Sequence, residues 1–167
     1  HGKSDIKFNA KNMKKNILFF LPLLFFACQH KRITVPEKQL HIFTNATWAP
    51  NERISFKFNF QDTSVYTLEG IIYVKKYIPF NNLPLTLVIQ TPDGSTIYRE
   101  IKISLRQDGI LKGEGESTDN QKIKTTLVTY FKPNRKGETY QVFLYHSLPV
   151  EITGYVDRLE VWWEKIK

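Results

Sequence analysis

The chain is predicted to fold as an all-β, two-sheet antiparallel β-sandwich, with jelly-roll or immunoglobulin-like pairing. Three observations predict it. From Leu40 onward, apolar and polar residues alternate with a period of two. Turn-forming clusters of Pro, Asn, Asp and Gly recur between the alternating runs. No part of 39–167 holds a helical period over three turns. Strands with one apolar face each need a second sheet to cover those faces.

A short strand near 40–43 opens the domain. Ile54, Phe56, Phe58 and Phe60 then alternate with Arg53, Ser55, Lys57 and Asn59, the pattern of a half-buried strand. Leu68, Ile72 and Val74 predict another, interrupted at Gly70, where a bulge is expected. Leu85, Leu87 and Ile89 form the next and run into Thr91-Pro92-Asp93-Gly94. Ile97, Ile101, Ile103 and Leu105 alternate beyond that turn, so the two strands form a hairpin. Ile123, Leu127 and Phe131 precede a turn at Pro133 to Gly137, and Tyr140, Val142, Leu144 and Leu148 face away from Gln141, Phe143 and Tyr145. Leu159, Val161 and Trp163 close the series, making about eight strands whose order the sequence leaves open.

The segment ahead of this domain has a different character. Lys14 and Lys15 precede an apolar stretch of 11 residues, Ile17 to Ala27, and the chain's only cysteine, Cys28, follows. A membrane-spanning helix needs roughly 18 or more apolar residues, so this stretch reads as a signal peptide. Cys28 after Phe25-Phe26-Ala27 matches a bacterial lipoprotein signal, cleaved before a cysteine that then carries acyl chains. The expected organisation is an upstream extension at 1–12 (ahead of the only methionine, Met13), a lipoprotein signal peptide at 13–27, a lipidated tether at 28–38, and the sandwich at 39–167. Ten extended residues reach about 33 Å. In the tether, His30, Lys31 and Arg32 favour an anionic surface.

Removing 1–27 takes away five lysines and one aspartate and leaves 19 basic and 15 acidic residues, a net charge of +4 rather than +8. The basic residues are scattered, which argues against nucleic acid as a partner. With no cysteine left for a disulfide, stability must come from burial and backbone pairing.

Residues that could carry chemistry are sparse. His30, His41 and His146 lack metal-ligand spacing, and His146 falls on an apolar strand face, where a hydrogen-bonded core histidine is expected. Ser147 points to the opposite face from His146, so the two cannot act as nucleophile and base. Gly109, Gly113 and Gly115 lack the helix that a phosphate loop requires and read as a tight loop or bulge. Glu114, Glu116 and Asp119 form an acidic loop without the alternating ladder of a calcium site. No cofactor, metal site or catalytic residue is expected.

Aromatic residues are the surplus. Trp162 and Trp163 are neighbours in the last strand, so one should enter the core and the other face outward. Trp162, Trp163, Tyr77 and Phe80 are the candidate contacts with a protein partner or a glycan, with Trp48 a secondary candidate.

In order along the chain, these landmarks resemble the GldH family of gliding-motility lipoproteins of the Bacteroidetes. The resemblance starts at Cys28 and includes Trp48 ahead of the Ile54–Phe60 alternation, Asp62 and Tyr66 after it, and Tyr77-Ile78-Pro79-Phe80-Asn81-Asn82-Leu83. It continues through Pro92-Asp93-Gly94, Asp108-Gly109, Lys112 to Gly115, Gly137 with Tyr140, and the stretch from Ile152 to Val161. The chain departs from the family pattern at Lys75 and Lys76, where an arginine is expected nearby, at a second expected arginine missing near His146, and at Arg158, where glycine is usual.

The resemblance implies an outer-membrane lipoprotein of the gliding apparatus, linked to type IX secretion, with protein partners there and no catalytic residues. Gln29 after the cysteine favours the outer membrane, and the absence of an acidic cluster behind it favours a periplasm-facing domain. The rival expectation is a carbohydrate-binding lipoprotein, which would need coplanar, outward aromatics among Trp162, Tyr77 and Phe80 beside a polar groove.

Overall fold

Alternation becomes geometry in a computed structural model that describes residues 37–166. The extension, the signal segment, Cys28 and the tether up to 36 lie outside those residues. In chain order the strands are β1 (Gln39–Ile42), β2 (Ile54–Asn59), β3 (Tyr66–Lys75), β4 (Asn82–Gln90) and β5 (Thr96–Ser104). Next come β6 (Arg106–Gln107), β7 (Ile110–Leu111), β8 (Glu114–Gly115), β9 (Asn120–Phe131), β10 (Thr139–His146) and β11 (Val156–Lys165). All eight expected strands are present. The additional three are two-residue pieces between 106 and 115, too short to show a period.

Two antiparallel sheets face each other, one ordered β1-β11-β3-β9-β8 and the other β2-β10-β4-β5, while β6 pairs with β7 in a separate two-stranded piece. The β4–β5 hairpin is closed as expected, with the Thr91 N–H donating to Ser95 O at 2.9 Å and the Gly94 N–H to Thr91 O at 3.0 Å. Most other connections cross from one sheet to the other, so neighbours in sequence are seldom neighbours in a sheet.

Inward residues of both sheets form a single core. Phe60 meets Tyr140 at 5.0 Å and Trp163 at 5.3 Å between ring centroids, and Phe131 meets Trp163 at 4.9 Å. Such pairs add roughly 0.5–1.5 kcal/mol each beyond the area they bury. Trp48, fully buried near the opposite end, packs on Phe43 and His146 and forms an isolated antiparallel bridge with Ile152. Among the described residues the main core lies between Phe43 and Trp163, so 37–167 carries that core and both sheets.

Gly70 is not at a bulge. The register of β3 against β9 slips at Tyr66/Leu68 and Leu68/Glu69 instead. A Cβ on Gly70 would sit 3.1 Å from Leu127 Cδ1, so the glycine makes room for that leucine to cross the strand. At the sandwich edge the Gln39 side chain behaves like a short length of strand. Its Oε1 accepts the Lys57 N–H at 3.2 Å and its Nε2 donates to Lys57 O, which ties β1 of one sheet to β2 of the other.

Candidate functional site

Trp162 and Trp163 diverge as period two requires. Trp163 is fully buried in the main core and has no surface for a partner. Trp162 lies on the outer face of the five-stranded sheet in a small cluster with Ile71 and Tyr73. It is only 9% exposed, because Lys38 Nζ stands 4.6 Å and Lys124 Nζ 5.7 Å from its ring centre.

Register accounts for the rest of that face. Ile71 pairs with Glu160 and Lys124, and Tyr73 with Arg158 and Lys122. The Arg158 guanidinium lies 3.9 Å from the Tyr73 ring centre and joins Asp157 at 3.0 Å as well as Glu116. The Tyr73 hydroxyl donates to Glu160 Oε1 at 2.9 Å, and burial, helped by that carboxylate, pushes it above its ordinary pKa. Glu69, buried on the same face, accepts from Thr126 Oγ1 at 3.1 Å. The outcome is a cross-linked polar surface over a thin aromatic layer.

Beside it runs a groove of about 1100 Å³ along the flank where β5 and β9 face each other. Five lysines come to it from four places: Lys38 ahead of β1, Lys102 on β5, Lys112 between β7 and β8, and Lys122 and Lys124 on β9. Two carboxylates, Asp108 and Glu114, also line it. Gly113 sits in its wall with φ +95°, and a Cβ there would lie 2.1 Å from Lys122 O. Only glycine lets the chain pass that close.

Tyr77 and Phe80 are brought together, and Tyr155 joins them from the loop before β11. Tyr77 is 65% exposed, whereas Ile78 between them is fully buried and anchors the segment. The Tyr155 ring stands edge-on to Tyr77 at 5.7 Å and to Phe80 at 6.3 Å, so neither pair is coplanar.

His146 is buried, and its Nε2 lies 3.0 Å from Trp48 O, which places it in the structural role expected of it. Two of the acidic loop's three carboxylates are taken up in ion pairs: Glu114 meets Lys122 at 3.6 Å and Glu116 meets Arg158. Among the described residues, no three His, Cys, Asp or Glu side chains are grouped to hold a metal ion. Sequence reasoning missed Tyr155, Arg158 as a bridging residue, and the lysine groove. Lys122 and Lys124 share a strand face and were readable as a pair, but the other three lysines come from distant elements.

Comparison with known proteins adds one strong likeness. A family model described as GldH lipoprotein matches residues 37–156. No curated protein sequence matches the chain. Among solved structures, the insecticidal delta-endotoxin Cry8Ea1 of Bacillus thuringiensis is 14% identical with a TM-score of 0.40, over 72% of this chain and 19% of the toxin. A cellulose-specific carbohydrate-binding module, CBM28, is 12% identical with a TM-score of 0.38, over 77% of this chain and 75% of the module. Dimeric latent PorU from Porphyromonas gingivalis is 12% identical with a TM-score of 0.32, over 77% of this chain and 13% of PorU. The chain thus spans a small part of the toxin and of PorU, and at these TM-scores none of the three likenesses carries an argument about function.

Proposed function

We propose a function from one premise: the chain belongs to the GldH lipoprotein family. It serves as a lipid-anchored, non-enzymatic structural or assembly component of the gliding motility and type IX secretion machinery. Acyl chains on Cys28 hold it at the outer membrane with the sandwich facing the periplasm. Two or more chains make such attachment stable where one is marginal. The family match across 37–156 carries this reading. Tethering supplies effective concentration, so a modest contact with a partner on the same membrane suffices.

The cluster of exposed Tyr77 with half-buried Phe80 and Tyr155 is the contact face we assign to that partner, since tyrosines with little rotamer entropy are favoured in interface hot spots. Two variants in the native cell test the scheme. Cys28→Ala should leave a folded domain in the soluble periplasmic fraction and abolish spreading; an undiminished membrane fraction would remove the anchor. Tyr77→Ser with Tyr155→Ser should stay membrane-bound at normal abundance yet lose spreading. Wild-type spreading by that pair would remove the contact face.

A further inference from the structure

We propose that the lysine groove beside Trp162 docks the phosphate groups of an anionic lipid surface. Among the described residues, Lys122 is the one groove lysine paired with a carboxylate, which leaves Lys38, Lys102, Lys112 and Lys124 to meet an outside anion. Ile71, Ile103 and Ile123 make up the apolar part of the walls between them, and such low-polarity stretches concentrate the field of the ammonium groups, which outnumber the two lining carboxylates, Asp108 and Glu114. Ile110, at the β6–β7 hairpin and 73% exposed, supplies an apolar side chain that enters the boundary between headgroups and acyl chains.

The path of the chain selects lipid over other polyanions. Lys38 is both a wall of the groove and the point at which the chain arriving from Cys28 joins the domain. The residues between them reach about 30 Å at full extension, so any surface that holds Cys28 is always within range of the groove. That step rests on the lipidation proposed above, whereas the charge and shape of the groove do not.

The test uses 37–167, which carries the main core and both sheets and lacks Cys28, so its result is independent of lipidation. The segment is mixed with phosphatidylcholine vesicles, with or without phosphatidylglycerol, and pelleted at increasing salt. It should bind only the anionic vesicles and be released by salt. Lys102→Gln, Lys112→Gln and Lys124→Gln together should weaken binding about 100-fold, at the usual contribution of a lysine near a charged bilayer. The control triple Lys57→Gln, Lys132→Gln and Lys136→Gln should change it by less than about threefold. Equal losses in the two triples would reduce the effect to net charge and overturn the site. Failure to bind anionic vesicles would overturn it too. So would tighter, groove-dependent binding to soluble polygalacturonate, which would mark an acidic-glycan site instead.

Discussion

Replacing Gly113 by alanine isolates the physical demand that shapes the groove. Two separate costs meet at this position. A left-handed backbone costs an L-residue about 1–2 kcal/mol, and Gly113 holds φ +95°. The new Cβ would also lie 2.1 Å from Lys122 O and 2.8 Å from Lys122 C, backbone atoms with no flexible end to swing away. Relief requires β8 to lift off β9, weakening the pairing of Glu114 with Lys122 and Gly115 with Gln121 at about 1 kcal/mol per hydrogen bond. The expected loss for Gly113→Ala is therefore about 2–4 kcal/mol. Gly109→Ala shares the left-handed backbone, at φ +79°, but has nothing within 4 Å, so it should lose only about 1–2 kcal/mol. Gly115→Ala meets neither obstacle and should stay within about 0.5 kcal/mol of wild type. Urea unfolding of 37–167, followed by tryptophan fluorescence, measures all three. A Gly113→Ala loss no larger than that of Gly109→Ala would refute the close-approach argument.

Two further outcomes are expected. Trp163→Ala, which opens a cavity in the aromatic core, should cost about 3–5 kcal/mol. Trp162→Ala, one residue away on the outer face, should cost about 1–2 kcal/mol from its thin cluster and its two lysine contacts; equal costs in denaturant unfolding would contradict the placement of the two faces. The second outcome concerns the polar cluster joining Asp62, Tyr66 and Lys165. The Lys165 ammonium, 2.7 Å away, and the Ser64 N–H hold the Asp62 carboxyl below its ordinary 3.8, so its contribution is present above that pH and fades as pH falls through the lowered value. Burial, with Asp62 beside it, pushes Tyr66 up to about 12 from 10.0, so its contribution is complete below pH 10 and fades between 10 and 12. The stability difference between wild type and Asp62→Asn should accordingly shrink at acid pH; a gap that stays constant down to pH 2 would contradict it.

The parts of this fold legible in the sequence are those governed by a single strand. Ile54, Phe56 and Phe58 announce their shared face without reference to anything else, and Thr91 to Ser95 close a hairpin through local hydrogen bonds. Strand order was hidden because most connections change sheets, so the partners of β3 are β9 and β11 rather than its sequence neighbours. Gly70 shows the same limit on a smaller scale. Its neighbour Leu127 lies far along the chain, and only the packed sheet reveals that the glycine admits a leucine instead of marking a bulge. At the surface, the Tyr77-Ile78-Pro79-Phe80 segment was readable as exposed aromatics, but Tyr155 beside it and the lysines of the groove are assembled by long-range register.

The Gln39 side chain has a mechanical consequence. A pull on the chain upstream of β1 reaches the outermost strand of one sheet, and a strand held only by its ladder would unzip bond by bond. Here the first residue in line also grips the main chain of Lys57 in the opposing sheet. Traction is thus shared by both layers at the point of entry, and the sandwich resists as a block instead of peeling from its edge.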